Sequence, residues 1–405
     1  MVIVGAGPIG STVANIIAKD GYKVLILEEH LKVGLPTHCT GKISVNALME
    51  LNLPNIGVQH KVKGALFCSP DLNFLRVERK EVQAHIFDRS VLDQWLLNRA
   101  VDSGTTIIKN AKVRHTSIGS HRIIVYYRHK NETHAVSAKI IVGADGAVSS
   151  IARHFGLYSK PMSETRFAVQ KEMTNLKNLQ AEFVDIYLGK KFAPGFFAWL
   201  VPTGEESAKV GLGVIPTPSK TPIQYLEHFS RFHPIAKTKL EGGICIRQTV
   251  HILPIGGALN QTVSEGVLIV GDAAGQVKST TGGGLYFGIT CAKIAGNVIS
   301  KALSTSDSLL QKDVLMEYQN LWEAQLGKEI KRSAKIRHIL DSLTDDELNY
   351  LFYIIRRDKR LISIIESEGD LDWQSGLTVS LIPHLTRSLI KRPKLLLKLG
   401  KILVD

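Results

Sequence analysis

The strongest constraint on this chain is a run of six residues near its start. Gly5-Ala6-Gly7-Pro8-Ile9-Gly10 follows the apolar residues 1–4 and opens a stretch in which Val13, Ile16 and Ile17 recur at helical spacing. Asp20-Gly21 stops that helix, residues 24–27 read as a second buried strand, and Glu28 and Glu29 come directly after it. Strand, glycine turn, helix, strand and acid in this order are what a βαβ dinucleotide site needs. The first glycine permits the tight turn, the second lets backbone approach a pyrophosphate, and the third lets the helix pack on the strand. The pyrophosphate then meets the positive end of the helix. Glu28 is placed to accept from both ribose hydroxyls, which favours an adenosine without a 2′-phosphate.

The rest of the chain divides by pattern. Residues 64–82 read as short strands, 85–100 as a helix with Leu92, Trp95, Leu96 and Ala100 on one face, and 122–128 and 139–142 as strands. Residues 160–255 lack the glycine turns of the first part and carry alternating segments such as 210–215, which predicts a second, sheet-based domain. The first style returns at 266–270, a buried strand that runs into Gly271-Asp272 and a Gly282-Gly283-Gly284 turn before a long helix. From about residue 306 the pattern is helical, with Thr344 and Glu347 spaced as a capping box. The expected organisation is a discontinuous dinucleotide-binding domain (1–60, 81–158 and 256–305), a sheet-based substrate domain (61–80 and 159–255) and a helical region (306–405).

Composition narrows the classes. At 405 residues the chain can bury a large core, and 44% hydrophobic against 21% charged residues is ordinary globular usage. The net charge of +13 favours an anionic partner. Cys39, Cys68, Cys245 and Cys291 lie far apart with no metal spacing, so neither a disulfide framework nor a metal site is expected, and a reducing cytoplasm is the default. No run of 18 apolar residues could span a membrane.

Further motifs carry a family resemblance. Gly143-Ala144-Asp145-Gly146 with Ser149 and Arg153, and Gly271-Asp272-Ala273-Ala274-Gly275, are similar to the second and third FAD signatures of the aromatic-hydroxylase-like flavoproteins; Asp88-Arg89 resembles their cofactor-contacting arginine. Within that superfamily the chain resembles the archaeal geranylgeranyl reductase family over essentially its whole length. Pro36-Thr37-His38-Cys39-Thr40-Gly41 is similar to that family's PxxCxG, Phe197-Ala198-Trp199-Leu200-Val201-Pro202 to its YxWxFP, and Leu343-Thr344-Asp345-Asp346-Glu347 to its helical tail. The resemblance implies an α/β fold: a Rossmann-type FAD-binding domain with an inserted antiparallel-sheet substrate domain and a C-terminal helical region. It implies noncovalent FAD held at Gly5, Gly7, Gly10, Glu28, Glu29, Cys39, Gly41, Arg89, Asp145, Gly271, Asp272, Gly282, Gly283 and Gly284, with Asp272 on the ribityl chain. It also implies saturation of the prenyl chains of archaeal ether lipids. Phe197 and Val201 replace the family's Tyr and Phe, and Lys278-Ser279 replaces its Asn-Pro. The first strand has three residues after Met1, where relatives usually have several more before the first glycine.

Reducing an isolated alkene takes a hydride at one carbon and a proton at the other, in a dry apolar slot. The expected catalytic residues are Cys39, placed by the family motif beside the flavin, and Trp199 and Phe197, grouped with Phe192 and Phe196 as an aromatic wall. His38 is placed to tune the thiol or relay protons. No second fingerprint could hold a nicotinamide cofactor, so electrons are expected from NAD(P)H or ferredoxin through transient docking. Residues 393–404 form a basic amphipathic helix with Lys394, Lys398 and Lys401 on one face and Leu395, Leu396, Leu399, Ile402 and Leu403 on another; residues 385–405 carry +5. The expectation is peripheral contact with anionic lipid and no nucleic acid. Two rivals remain. One is a flavin monooxygenase or halogenase, whose WxWxIP-like run residues 199–202 partly match, and the other is a prenyl-lipid carrier without turnover.

Overall fold

Val2–Val4, Leu25–Leu27, Ile141–Gly143 and Val267–Ile269 carry no polar side chain and are almost wholly buried. Segments buried on both faces suit the middle of a parallel sheet. They form one, in the order Val263–Ser264, Val267–Ile269, Ile141–Gly143, Val2–Val4, Leu25–Leu27, Thr106–Ile108, parallel except for the edge strand Val263–Ser264. The computed structural model describes residues 1–158, 164–215, 217 and 220–402, apart from the side chain of Arg387. These residues fall into two compact units. The first comprises Met1–Thr37, Arg89–Glu164 and Pro254–Lys331, and the second His38–Asp88, Thr165–Leu253 and Arg332–Asp405.

In the first unit the helix Pro8–Lys19 starts with proline at its first turn, where the missing N–H costs nothing. It packs on the long helix Leu285–Thr305 through glycine. A Cβ on Gly288 would stand 2.6 Å from Ile9 Cδ1, and one on Gly296 2.9 Å from Ile16 Cβ. A three-stranded antiparallel sheet, Ala111–Ile118, Ile123–His129 and Glu132–Ala138, completes the β structure of this unit. Fully burying each of its Ile, Leu and Val side chains contributes about 1.5–3 kcal/mol, so this core holds the site rigid.

The second unit is built on a seven-stranded sheet ordered Ile244–Pro254, Thr165–Thr174, Ser207–Val214, Ala198–Gly204, Phe183–Tyr187, Gly64–Cys68, Phe74–Glu78. Its neighbours run antiparallel from Thr165–Thr174 to Phe183–Tyr187. Phe183–Tyr187 then pairs in parallel with Gly64–Cys68, which is antiparallel to Phe74–Glu78. The alternation read at 210–215 is of size rather than polarity. Strand Ser207–Val214 is buried nearly throughout, and its glycines make room for rings: a Cβ on Gly211 would lie 2.6 Å from Trp199 Cζ2, and one on Gly213 2.6 Å from Phe196 Cδ1.

Two segments differ from the sequence reading. The helix expected at 85–100 is a strand, Ala84–Phe87, followed by a helix, Arg89–Asp102. Ala84–Phe87 is buried at every position and hydrogen-bonded on both edges, by Lys42–Ser44 and Val58–Val62, so strand pairing overrides the helical spacing. The tail helix runs Pro393–Gly400, and its apolar face is not free. Leu395, Leu399 and Ile402 are buried in a cluster with Ile336, Leu343, Leu385 and Leu389. Lys398 pairs with Glu347 at 2.6 Å, and Glu347 also closes the capping box on Thr344. Leu403, Val404 and Asp405 lie outside the described residues. Among the described residues no helix is long and apolar enough to cross a membrane.

Candidate functional site

The first unit presents a glycine-rich turn at the carboxyl ends of its parallel strands, where open α/β sheets bind ligands. Gly5 takes φ +100°, and a Cβ there would lie 2.3 Å from Ala144 O; one on Gly10 would lie 2.0 Å from Gly5 O. A Cβ on Gly7 would meet no protein atom within 4 Å. Gly5 and Gly10 are therefore fixed by internal packing, whereas Gly7 is left open to whatever approaches the turn.

Glu28 is buried at the end of Leu25–Leu27. Its Oε2 accepts from Ala6 N at 2.7 Å, and its Oε1 from His30 N at 2.8 Å with His30 Nδ1 at 2.7 Å. A carboxylate has about four acceptor positions, so one remains, on Oε2. Glu29 points outward and pairs with Lys112 at 2.6 Å.

Asp145 caps the short helix Ser150–His154. Its Oδ1 accepts from Ser149 Oγ at 2.6 Å, and its Oδ2 from Ser150 N at 2.7 Å, Ser150 Oγ at 3.0 Å and Ile151 N at 3.1 Å. The carboxylate is spent on the turn, and Gly143 to Gly146 is held in shape by it. Arg89 makes a two-pronged contact with Asp93, one turn along its helix, at 2.8 and 3.0 Å. Asp272 is the exception in this unit. Its carboxylate accepts no hydrogen bond among the described residues, burial pushes its pKa up, and the charge of Arg89 opposes that shift. A Cβ on Gly284 would lie 2.5 Å from Asp272 Oδ1, so the triple glycine keeps the space at this acid clear. Gly271 and Gly282 both have positive φ, and Gly283 lies over the Lys278 side chain.

These groups fit FAD. A buried acid that accepts no hydrogen bond among the described residues calls for hydroxyl donors, which ribityl and ribose supply; an open glycine turn at a helix N-terminus calls for phosphate. The fit rests on Asp272 and Gly7, the two positions that internal structure leaves unanswered.

The second unit gathers its own polar set. Gly41 has φ +76°, and a Cβ there would lie 2.2 Å from Phe87 O, so the turn after Cys39 requires glycine. Cys39 is half-buried, and its Sγ accepts from Gly41 N at 3.3 Å. Gln170, 1% exposed, joins the two sequence motifs: its Nε2 donates to Cys39 O at 3.5 Å, and its Oε1 accepts from Trp199 Nε1 at 3.3 Å. Lys209, 2% exposed, donates from Nζ to Thr40 O at 3.0 Å and Phe87 O at 3.1 Å. Phe197 stacks on Phe196 with centroids 4.3 Å apart and meets Trp199 edge-on at 5.9 Å. Phe192 stands apart from this group and packs against His228, Phe229 and His233. Its expected membership in the aromatic wall is corrected, because the turn at Gly195 separates Phe192 from the strand that carries Trp199. His38 stands 5.4 Å from His251, ring to ring.

Gln170, Lys209 and His251 escaped the sequence reading. A signal existed for the first two, since each is a long polar side chain inside an otherwise buried strand.

Known proteins place the chain. A family model described as an FAD binding domain matches residues 1–313. The digeranylgeranylglycerophospholipid reductase of Methanocaldococcus jannaschii is 34% identical over 358 residues, 87% of this chain and 89% of that protein. A solved geranylgeranyl bacteriochlorophyll reductase-like protein from Thermoplasma acidophilum superposes with TM-score 0.84 at 24% identity, covering 99% of this chain and 98% of its own. A flavin-dependent brominase superposes with TM-score 0.69 at 15% identity, covering 96% of this chain and 98% of its own, and shares the fold alone. An FAD binding model over most of the sequence and a named relative along nearly all of it converge: the chain is an FAD-dependent oxidoreductase and belongs to the digeranylgeranylglycerophospholipid reductase family.

Proposed function

We propose that the protein saturates C=C bonds of geranylgeranyl chains in archaeal ether lipids or their precursors. The observation that carries this reading is the Gln170 bridge, which ties the Cys39 turn to Trp199 inside one buried polar chain. A buried amide with both ends engaged fixes both neighbours, and a reaction that must hold an unactivated alkene needs such fixed walls.

On this reading the residues divide the work. Gly5, Gly7 and Gly10 receive the pyrophosphate; Glu28 takes an adenosine ribose hydroxyl and Asp272 a ribityl hydroxyl. Arg89, Asp145, Gly271 and the run Gly282 to Gly284 shape that site, within a cofactor domain of residues 1–60, 81–158 and 256–305. Glu29, held outward by Lys112, lies at its margin. Bound FAD supplies the hydride. Trp199 and Phe197 keep water from the alkene, and their π faces favour the positive charge that builds on it. Cys39 holds the proton for the second carbon at Sγ. Lys209 and Gly41 keep that turn rigid, since a buried ammonium anchored on two backbone carbonyls resists displacement.

Electrons arrive from NAD(P)H or ferredoxin by transient docking, to which the +13 charge is suited. The enzyme works in the cytoplasm and meets anionic membrane peripherally. With Leu395, Leu399 and Ile402 packed inward, the contact falls to the exposed Lys391, Lys394 and Lys401, beside exposed Ile390 and Leu397. The deciding experiment incubates dithionite-reduced protein anaerobically with digeranylgeranylglyceryl phosphate and follows the lipid by mass spectrometry. Successive gains of two hydrogens are expected. A product that forms only with oxygen would point to a monooxygenase or halogenase, and bound lipid without turnover to a carrier.

A further inference from the structure

We propose that Asp341 is a positioning residue for alkene reduction: from the helix Lys328–Ser342 it holds two arginines, one fixing the turn that leads to Trp199 and the other the first aromatic ring after that turn. The inference rests on the reading of Trp199 and Phe197 above and adds Asp341, Arg166 and Arg337, which belong to none of the motifs. Asp341 also lies beyond residues 1–313, which the FAD binding model matches, so it is no part of the cofactor signature. All of these residues belong to the second unit.

Each oxygen of Asp341 takes one arm. Arg166, buried on the strand Thr165–Thr174, donates from Nη2 to Asp341 Oδ2 and from Nε to Gly195 O at 2.7 Å. Gly195 has φ +79°, and a Cβ there would lie 2.3 Å from Ile215 Cγ1, so this turn has little room to shift. It runs directly into Phe196, Phe197 and the strand Ala198–Gly204 that carries Trp199. Arg337, buried one turn back on the helix of Asp341, meets Oδ1 from Nε at 2.9 Å and from Nη2 at 2.7 Å. Its Cζ stands 5.2 Å from the ring centroid of Phe196, the ring that stacks on Phe197, and Phe197 in turn meets Trp199 edge-on.

Two buried guanidiniums repel each other, and a carboxylate shared between them reverses that. Burial lowers the pKa of Arg337, Asp341 pulls it back up, and the charge of Arg166 lowers it further. A planar fork holds its angle, so a guanidinium over a ring fixes the ring's tilt as well as its place. Moving the carboxylate therefore moves the turn and the stack together, and with them the two side chains that the reading above sets against the alkene. An alkene offers no charge and no hydrogen bond by which to be held. Its place is set by the walls, and an ångström of error there costs about a hundredfold in rate.

Two measurements on the holoenzyme test this. Arg337→Lys keeps a cation for Asp341 but loses the flat fork on Phe196. It should lower kcat on detergent-dispersed digeranylgeranylglyceryl phosphate about tenfold, and the loss should shrink below about twofold in a Phe197→Leu background, where the stack it serves is already gone. Asp341→Asn releases both arms and should lower kcat further. The second measurement is the near-ultraviolet circular dichroism of Trp199, taken as the difference between each protein and its Trp199→Phe version; Arg337→Lys and Asp341→Asn should each change it. An unchanged kcat in Arg337→Lys overturns the inference, as does a loss that is just as large in the Phe197→Leu background. So does a Trp199 signal that stays at the wild-type value in both variants. If Asp341→Asn does not fold, Arg337→Lys carries both measurements. Should the wild-type protein reduce no lipid alkene, the reductase reading fails, while the Trp199 signal still decides whether Asp341 sets the wall.

Discussion

The two units hold polar chemistry in opposite ways. In the first, the groups that matter come from short local motifs, and internal bonds satisfy most of them: Glu28 by Ala6 and His30, Asp145 by the helix it caps, Arg89 by Asp93. In the second, they meet across long stretches of chain. Gln170 reaches Cys39 over 131 residues, and Lys209 reaches Thr40 over 169. Every histidine whose pKa is pushed down, His85, His228, His233 and His251, also lies in the second unit. The polar groups of the first unit are thus set mostly within short motifs, while those of the second are joined by tertiary packing and carry the lowered histidines.

The sharpest way to break this contrast is at the glycine turn. Gly7→Val should fold with the melting temperature of flavin-stripped wild-type protein yet purify without flavin, because a Cβ there meets nothing within 4 Å beyond its chain neighbours and points into the space left open at the turn. Gly10→Val should instead lose stability, since its Cβ would lie 2.0 Å from Gly5 O. Flavin absorbance and calorimetry separate the two, and full flavin occupancy in Gly7→Val would remove the cofactor assignment.

Acid should act on the second unit. His233 is 2% exposed, its Nδ1 accepts from Ala236 N at 3.2 Å, and burial, with the charge of Lys191, lowers it to about 4 from 6.5. The unfolded chain binds this proton below about 6.5 while the fold refuses it until about 4. Stability is therefore complete above 6.5 and is lost as pH falls between those values, by about 3 kcal/mol for this group. His233→Asn keeps a cap acceptor without the titration and should flatten the melting temperature over that window. An unchanged slope would place the acid sensitivity elsewhere.

The Gln170 bridge sets a smaller effect. Gln170→Leu strips hydrogen bonds from Trp199 and from the Cys39 carbonyl, and should slow lipid reduction about tenfold, near 1.4 kcal/mol, with flavin content unchanged. Cys39→Ser should keep fold and flavin and change the rate or the set of bonds reduced. Wild-type kinetics in both would leave these residues as packing.

The tail gives the smallest effect and separates two kinds of lysine. Lys398→Glu breaks the pair with Glu347 and should cost about 1 kcal/mol of stability, as expected of a partly exposed ion pair. Reversing Lys391, Lys394 and Lys401 should leave stability alone and weaken salt-sensitive cosedimentation with anionic vesicles. Full vesicle binding by that variant would assign the membrane face to another surface.

By itself the sequence determined the features whose cause is local. Gly5, Gly7 and Gly10 declare a turn because only that spacing reconciles strand, phosphate and helix, and Thr344 with Glu347 declares a cap because both bonds close within one helical turn. Cys39 and Trp199 were legible as motifs, each within six residues. What joins them was not, because Gln170 and Lys209 owe their roles to strands that pair only once the sheet forms, and a buried polar side chain shows its partner only in three dimensions. The same holds where local pattern misled. Residues 85–87 fall within the helix read at 85–100, but strands on both edges claim their backbone. The tail reads as an amphipathic helix with a free apolar face, and only tertiary structure decides that the face is covered, since burying leucine against leucine is as favourable within the protein as in lipid.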